Sequence, residues 1–242
     1  MNDVGVRSLT PTYNSAVCTL MTVMITTRLL ATACIVLAHA PRTHAQQFAP
    51  VPPPAPGRSS APATVLPGAT LLAELKRGGY TIYIRHTSTD FSRDDINSKR
   101  DDDCDNQRPL TGKGRDEARH MGAAMMKLGF PISEVLASPR CRTVEVAKLA
   151  FGKYQLAEEV RGGAITLQAV ERYNPLVQWF QLGPGAGRNR VIVSHGNPFY
   201  ATAGAPYLAE GEAAVVKPLG KDFEVIARVR WDGWAALVAK NP

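Results

Sequence analysis

Histidine is scarce in this 242-residue chain: there are five, and two of them, His39 and His44, precede residue 68. Long apolar runs are missing as well. The apolar stretch at Leu29–Ala40 is too short to cross a bilayer. No internal repeat appears, which excludes solenoids and propellers. The glycine run Gly183-Pro184-Gly185-Ala186-Gly187 precedes a strand instead of joining a strand to a helix, so it reads as a turn and not as a dinucleotide loop. The acidic run Asp101-Asp102-Asp103-Cys104-Asp105 has neither the glycine nor the distal glutamate of a calcium loop and reads as a solvated loop. Strong charge is absent too. Beyond residue 67 there are 24 basic and 20 acidic residues, a balance that calls for no nucleic acid.

The chain divides by composition. Arg28 followed by the apolar run, with small residues at Ala38-His39-Ala40 and Thr43-His44-Ala45, reads as a signal peptide over residues 1–45, with a start at Met21 or Met24 as an alternative. An exported, periplasmic or secreted location follows, with no membrane span in the mature chain. Residues 46–67 are proline-rich and bury too little apolar surface to offset their ordering entropy, so they read as an extended linker. Residues 68–242 have the size of one domain.

Within that domain the periodicity alternates between strand and helix. A helix is expected at Ala69–Lys76 and a buried strand at Tyr80–Ile84. A long polar loop follows, Thr87–Pro109, and then a helix from an N-cap at Thr111 to about Leu128. A second strand at Glu134–Ala137 leads to a helix at Thr143–Phe151. A helical stretch at Ile165–Leu182, divided at Asn174-Pro175, precedes a third strand at Val191–Ser194 and a short helix. Two β segments, Ala213–Val216 and Phe223–Val229, close the pattern. This is an α/β order.

Two of the three domain histidines sit at strand exits, where open α/β sheets bind ligands. Arg85-His86 follows the first strand and His195-Gly196 the third, and Ser138-Pro139-Arg140-Cys141-Arg142 lies between them. A nucleophilic imidazole beside fixed guanidinium charge suits phosphoryl transfer. His120 falls within a helix and reads as a surface or packing residue.

Four motifs in order, Arg85-His86-Thr87, Leu110-Thr111-Gly112-Lys113-Gly114, Ser138-Pro139-Arg140-Cys141-Arg142 and His195-Gly196, resemble those of the histidine phosphatase superfamily, the phosphoglycerate-mutase-like group, in an exported bacterial-type form. The resemblance covers about residues 70–231. It implies a three-layer α/β/α sandwich with a mostly parallel central sheet, and a metal-independent phosphomonoesterase that needs no cofactor. By this resemblance His86 is the nucleophile, Arg85 and Arg142 hold the phosphate, and His195 stabilises transition-state charge. Arg140 is a rival for the arginine role, two residues short of the motif spacing. Thr89 and Ser92 stand where polar substrate contacts occur, although loop residues bonded to local backbone read the same way.

Two departures are visible: Thr87 replaces the motif's glycine, and the proton donor has three candidates, Glu158, Glu159 and Glu171. In the implied fold the loop after the first strand and the loop carrying Arg142 both border the site. This favours a Cys104–Cys141 disulfide over two free thiols in an exported protein. The partner expected is a small phosphorylated substrate. A catalytically inactive phosphate-binding envelope protein of the same fold is the alternative.

Overall fold

The computed structural model describes residues 59–62, 66–163 and 171–240. The signal-peptide reading and most of the linker reading fall outside them. Parts of the expected linker lie against the domain: Ser59 bridges Ala205, the Ser60 N–H donates to the Ala205 carbonyl at 2.8 Å, and Leu66 packs on the core.

In chain order the elements are α1 (Gly68–Arg77), β1 (Thr81–Arg85), α2 (Gly112–Leu128), β2 (Ile132–Ala137), α3 (Cys141–Phe151), β3 (Gln155–Leu156) and α4 (Asn174–Leu182). They continue with β4 (Asn189–Ser194), α5 (Gly196–Ala203), β5 (Glu212–Pro218), β6 (Phe223–Arg230) and α6 (Gly233–Lys240), with short 3-10 turns at Cys104–Asn106, Glu158–Val160 and Glu171–Tyr173. Six strands form one sheet in the order β3-β2-β4-β1-β5-β6. The first four run parallel, and the β5 and β6 pairings are antiparallel.

Strands buried on both faces need successive apolar residues, and β1 and β4 supply them in Ile82-Tyr83-Ile84 and Val191-Ile192-Val193. Ile82 and Ile84 of β1, with Val191 and Val193 of β4, face a core closed by α1, α2, α3 and α6. Tyr83 and Ile192, on the opposite face, pack with Leu176 and Phe180 of α4 and Phe199 of α5. Helices on both sides of a largely parallel sheet make the three-layer sandwich that the resemblance implies.

Thr111 caps α2, its hydroxyl accepting from the Gly114 N–H at 2.9 Å. The same turn explains the motif glycine: a Cβ on Gly114 would stand 2.0 Å from the Ser88 carbonyl oxygen. One expectation needs adjustment, and another falls partly outside the described residues. Pro175 sits in the first turn of α4, where its missing N–H costs nothing, and a 3-10 turn at Glu171–Tyr173 precedes that helix. Residues 164–170 of that expected helix lie outside the described residues. The acidic run is not simply solvated, because Asp101 pairs with both Arg140 (3.3 Å) and Arg161 (2.9 Å). Two elements had no sequence signal strong enough to place them: β3, of two residues, and α6, anchored by the fully buried Trp234. No helix among the described residues is long and apolar enough to cross a membrane.

Candidate active site

Strand register brings the motifs level. Arg85 pairs with Ser194 across β1 and β4, and Ala137 pairs with Val193 across β2 and β4. The ladder then runs on into the motifs. The His86 N–H donates to the Ser194 carbonyl at 2.9 Å, and the Ser138 N–H donates to the Val193 carbonyl at 2.9 Å. The His86 carbonyl in turn receives the Gly211 N–H at 3.0 Å. With both backbone groups paired, the nucleophile candidate rests on rigid sheet.

These strand ends open into a cavity of about 550 Å³ lined by Arg85, His86, Arg142 and His195, together with Asp95, Arg108 and Arg140. The His86 and His195 rings lie 5.4 Å apart, centroid to centroid. His86 is 2 % exposed and lines this cavity. Its Nδ1 lies 3.0 Å from the Thr87 carbonyl oxygen. A carbonyl can only accept, so Nδ1 carries the proton and Nε2 keeps its lone pair in the neutral ring. Burial, then the charges of Arg142, Arg85 and Arg108, hold the His86 pKa well below the usual histidine range. Thr87, fully buried, therefore keeps the carbonyl contact that fixes the tautomer.

His195 caps α5 and its Nε2 lies 2.9 Å from the Ser138 hydroxyl. Its carbonyl accepts the Tyr83 hydroxyl at 2.8 Å. Burial and the charges of Arg142, His86, Arg140 and Arg85 hold it well below the usual range too. Gly196 follows because a Cβ there would stand 2.1 Å from the Tyr207 ring.

The arginines differ in how fully they are engaged. Arg85 donates from Nη1 to the Leu208 carbonyl at 2.7 Å, and its Nη2 lies 3.6 Å from Glu210. Arg142, 7 % exposed, places Nη1 and Nη2 at 3.0 and 2.9 Å from the two Asp95 oxygens. Arg140 spends its charge on Asp101 and donates to the Ser98 hydroxyl at 3.1 Å. Arg108 stacks over Phe91, 4.6 Å from the ring centre. The Nε groups of Arg85, Arg108 and Arg142 are buried without a hydrogen-bond partner. The guanidinium groups of Arg85, Arg108 and Arg142 line one cavity, a charge distribution suited to an anion.

Other sequence candidates are placed elsewhere. The Thr89 hydroxyl and N–H donate to Glu210 at 2.7 and 3.1 Å, and Thr89 does not line the cavity. Ser92 is exposed and donates to Asp90 at 2.7 Å within its own loop. Glu158, Glu159 and Glu171 are exposed, and none lines the cavity. Cys104 and Cys141 form a disulfide with Cα atoms 5.6 Å apart, pinning the Thr87–Pro109 loop to the start of α3, one residue from Arg142. Arg108, Asp95 and Glu210 escaped sequence reasoning. Arg108 adjoins the Pro109-Leu110-Thr111 run and so had a positional signal, whereas a lone aspartate in a polar loop has none.

No family model matches this chain, and no curated protein matches it. Solved structures do. A mycobacterial glucosyl-3-phosphoglycerate phosphatase in complex with inorganic phosphate is similar at 14% identity and a TM-score of 0.47, covering 61% of this chain and 95% of that one. The protein histidine phosphatase SixA complexed with tungstate is 19% identical with a TM-score of 0.44, over 63% of this chain and 97% of its own. The alpha-ribazole phosphatase from Shigella flexneri is 15% identical at 0.45, over 60% and 94%.

Proposed function

We propose that this protein is a metal-independent phosphomonoesterase that works through a phosphohistidine on His86. The observation that carries the reading is the pairing of a neutral imidazole, its Nδ1 proton spent on Thr87, with the guanidinium groups of Arg85, Arg108 and Arg142 lining the same cavity. Phosphoryl transfer needs that combination: a bare nitrogen in line with phosphorus and positive charge on the equatorial oxygens. Nε2 of His86 attacks, forming the N–P bond as the ester P–O bond breaks. Arg85 and Arg142, joined by Arg108, hold the phosphoryl oxygens. His195 donates to one of them once the bound dianion offsets the arginine charges that keep the ring neutral in the free protein. Water then takes the phosphoryl group from Nε2 and phosphate leaves.

The substrate on this reading is a small phosphate ester, met outside the cytoplasm if the leader acts as a signal peptide. The test is hydrolysis of p-nitrophenyl phosphate in EDTA beside His86→Ala. Turnover in the parent and none in the variant is expected. Binding of phosphate or vanadate without turnover in either would favour the inactive phosphate-binding protein instead.

A further inference from the structure

Breaking a phosphate ester leaves charge on the departing oxygen unless a proton reaches it. Among the described residues that line the cavity, one carboxylate is present, Asp95. Glu158, Glu159 and Glu171 are exposed outside it, and residues 164–170 contain no acid. We propose that Asp95, on the loop between β1 and α2, is the general acid that protonates the leaving oxygen, an inference that rests on the phosphatase reading above.

Position supports the role. His86 is 2 % exposed, whereas the Asp95 side chain is 29 % exposed, which puts Asp95 on the more open side of the cavity they share. In-line attack from buried His86 drives the leaving group outward, to the side where Asp95 waits. Its carboxylate also occupies a telling place. Oδ1 accepts from Arg142 Nη1 at 3.0 Å and from the Arg108 N–H at 2.7 Å, and Oδ2 lies 2.9 Å from Arg142 Nη2. Those two guanidinium donors are the fork a phosphate would take. An arriving phosphate therefore displaces Asp95 from its counter-ion and stands beside it as a like charge.

Both changes favour the protonated carboxyl. In the free protein, burial disfavours the carboxylate, but the Arg142 and Arg108 hydrogen bonds and the Arg142 charge outweigh it and hold the group below the usual aspartate range. Substrate removes the Arg142 contribution and adds negative charge, so Asp95 takes a proton from solvent, and the acid is loaded only when there is an ester to cleave. The proton and electron count closes over the cycle. As the Nε2–P bond forms and the P–O bond breaks, the electron pair on the leaving oxygen takes the Asp95 proton, and an alcohol departs. The Asp95 carboxylate then accepts a proton from the water whose oxygen attacks phosphorus. The Nε2–P bond breaks, phosphate leaves, and Asp95 is again a carboxylic acid until Arg142 recaptures it as the anion.

The experiment is a leaving-group series of substituted phenyl phosphates, from p-nitrophenyl to p-methoxyphenyl, on the parent chain, Asp95→Asn and Asp95→Glu. A lost general acid costs most where the leaving group is poorest. In Asp95→Asn we expect kcat/KM, which reports the phosphorylation step and not the later attack of water, to stay within about threefold of the parent for p-nitrophenyl phosphate but to fall about a hundredfold at the p-methoxyphenyl end. Asp95→Glu should recover part of the latter loss. An equal loss across the series would make Asp95 a positioning partner of Arg142, and no loss anywhere would remove it from the reaction; either overturns the inference. A parent chain inert to the whole series overturns the phosphatase reading itself, an outcome visible before Asp95 is changed.

Discussion

A single proton decides what His86 can do. Because Nδ1 spends it on the Thr87 carbonyl, the nucleophilic nitrogen stays bare, and the arginines around it discourage a second proton. His86→Ala should abolish turnover while moving the thermal midpoint by only a few degrees, since the ring's hydrogen-bond partner is its own neighbour's backbone. Calorimetry of the two proteins side by side checks this; a collapse of stability would make His86 structural. The depressed histidines also set a pH dependence of stability. Above about pH 6.5 both rings are neutral whether the chain is folded or unfolded, and they contribute nothing. As pH falls below that value the unfolded chain takes up protons that folded His86 and His195 refuse, so stability drops, by at most about 1.4 kcal/mol per pH unit for each ring. Melting at pH 7.5 and 5.5 should show a smaller drop in His195→Asn than in the parent. An equal drop in both would mean that His195 is not held neutral.

At the scale of elements, the loop Thr87–Pro109 is the part of the site that composition described least well. Its polarity and length marked it as functional, but not the way it is tied down. The disulfide fixes it to α3, the Gln107 side chain accepts the Cys141 N–H at 3.0 Å, and Asp101 gathers Arg140 and Arg161. Such long-range pairings depend on which loops the sheet order brings together, and spacing along the chain does not encode that. Replacing Cys104 and Cys141 by serine should lower stability by about 3–4 kcal/mol on the chain-entropy estimate, less any strain in the native bridge. It should also raise KM, because Cys141 and Gln107 adjoin Arg142 and Arg108. Unchanged KM with lowered stability would mean the bridge serves the fold alone. Helix α2, by contrast, was legible from end to end, through Thr111 as its cap and Gly129 as its stop. Gly114→Ala should destabilise by about 1–3 kcal/mol, since the obstacle is the Ser88 backbone carbonyl and not a side chain that can turn aside. Chemical denaturation reads that loss directly.

For the molecule as a whole, the sheet does most of the positioning. Register between β1, β4 and β2 aligns Arg85-His86, Ser194-His195 and Ser138, and the apolar runs that mark β1 and β4 as central strands were readable in the residues. The layers and the strand-end histidines were legible for the same reason. The third arginine, the one carboxylate in the cavity and the contact between Ser60 and Ala205 were not, because each joins segments far apart in the chain. A cavity lined by these guanidinium groups should gain stability from any tetrahedral oxyanion. Phosphate or vanadate at about a hundred times its dissociation constant should add about 2.7 kcal/mol to unfolding. The central claim is narrower: phosphorus becomes bonded to His86. The measurement that tests it most directly is alkaline quenching of the protein during turnover of p-nitrophenyl phosphate, followed by mass spectrometry of its peptides. One phosphoryl group on the peptide carrying His86, absent from His86→Ala and lost on return to acid, is the predicted result. Turnover with no phosphorylated peptide, or with the label on another residue, would contradict the account.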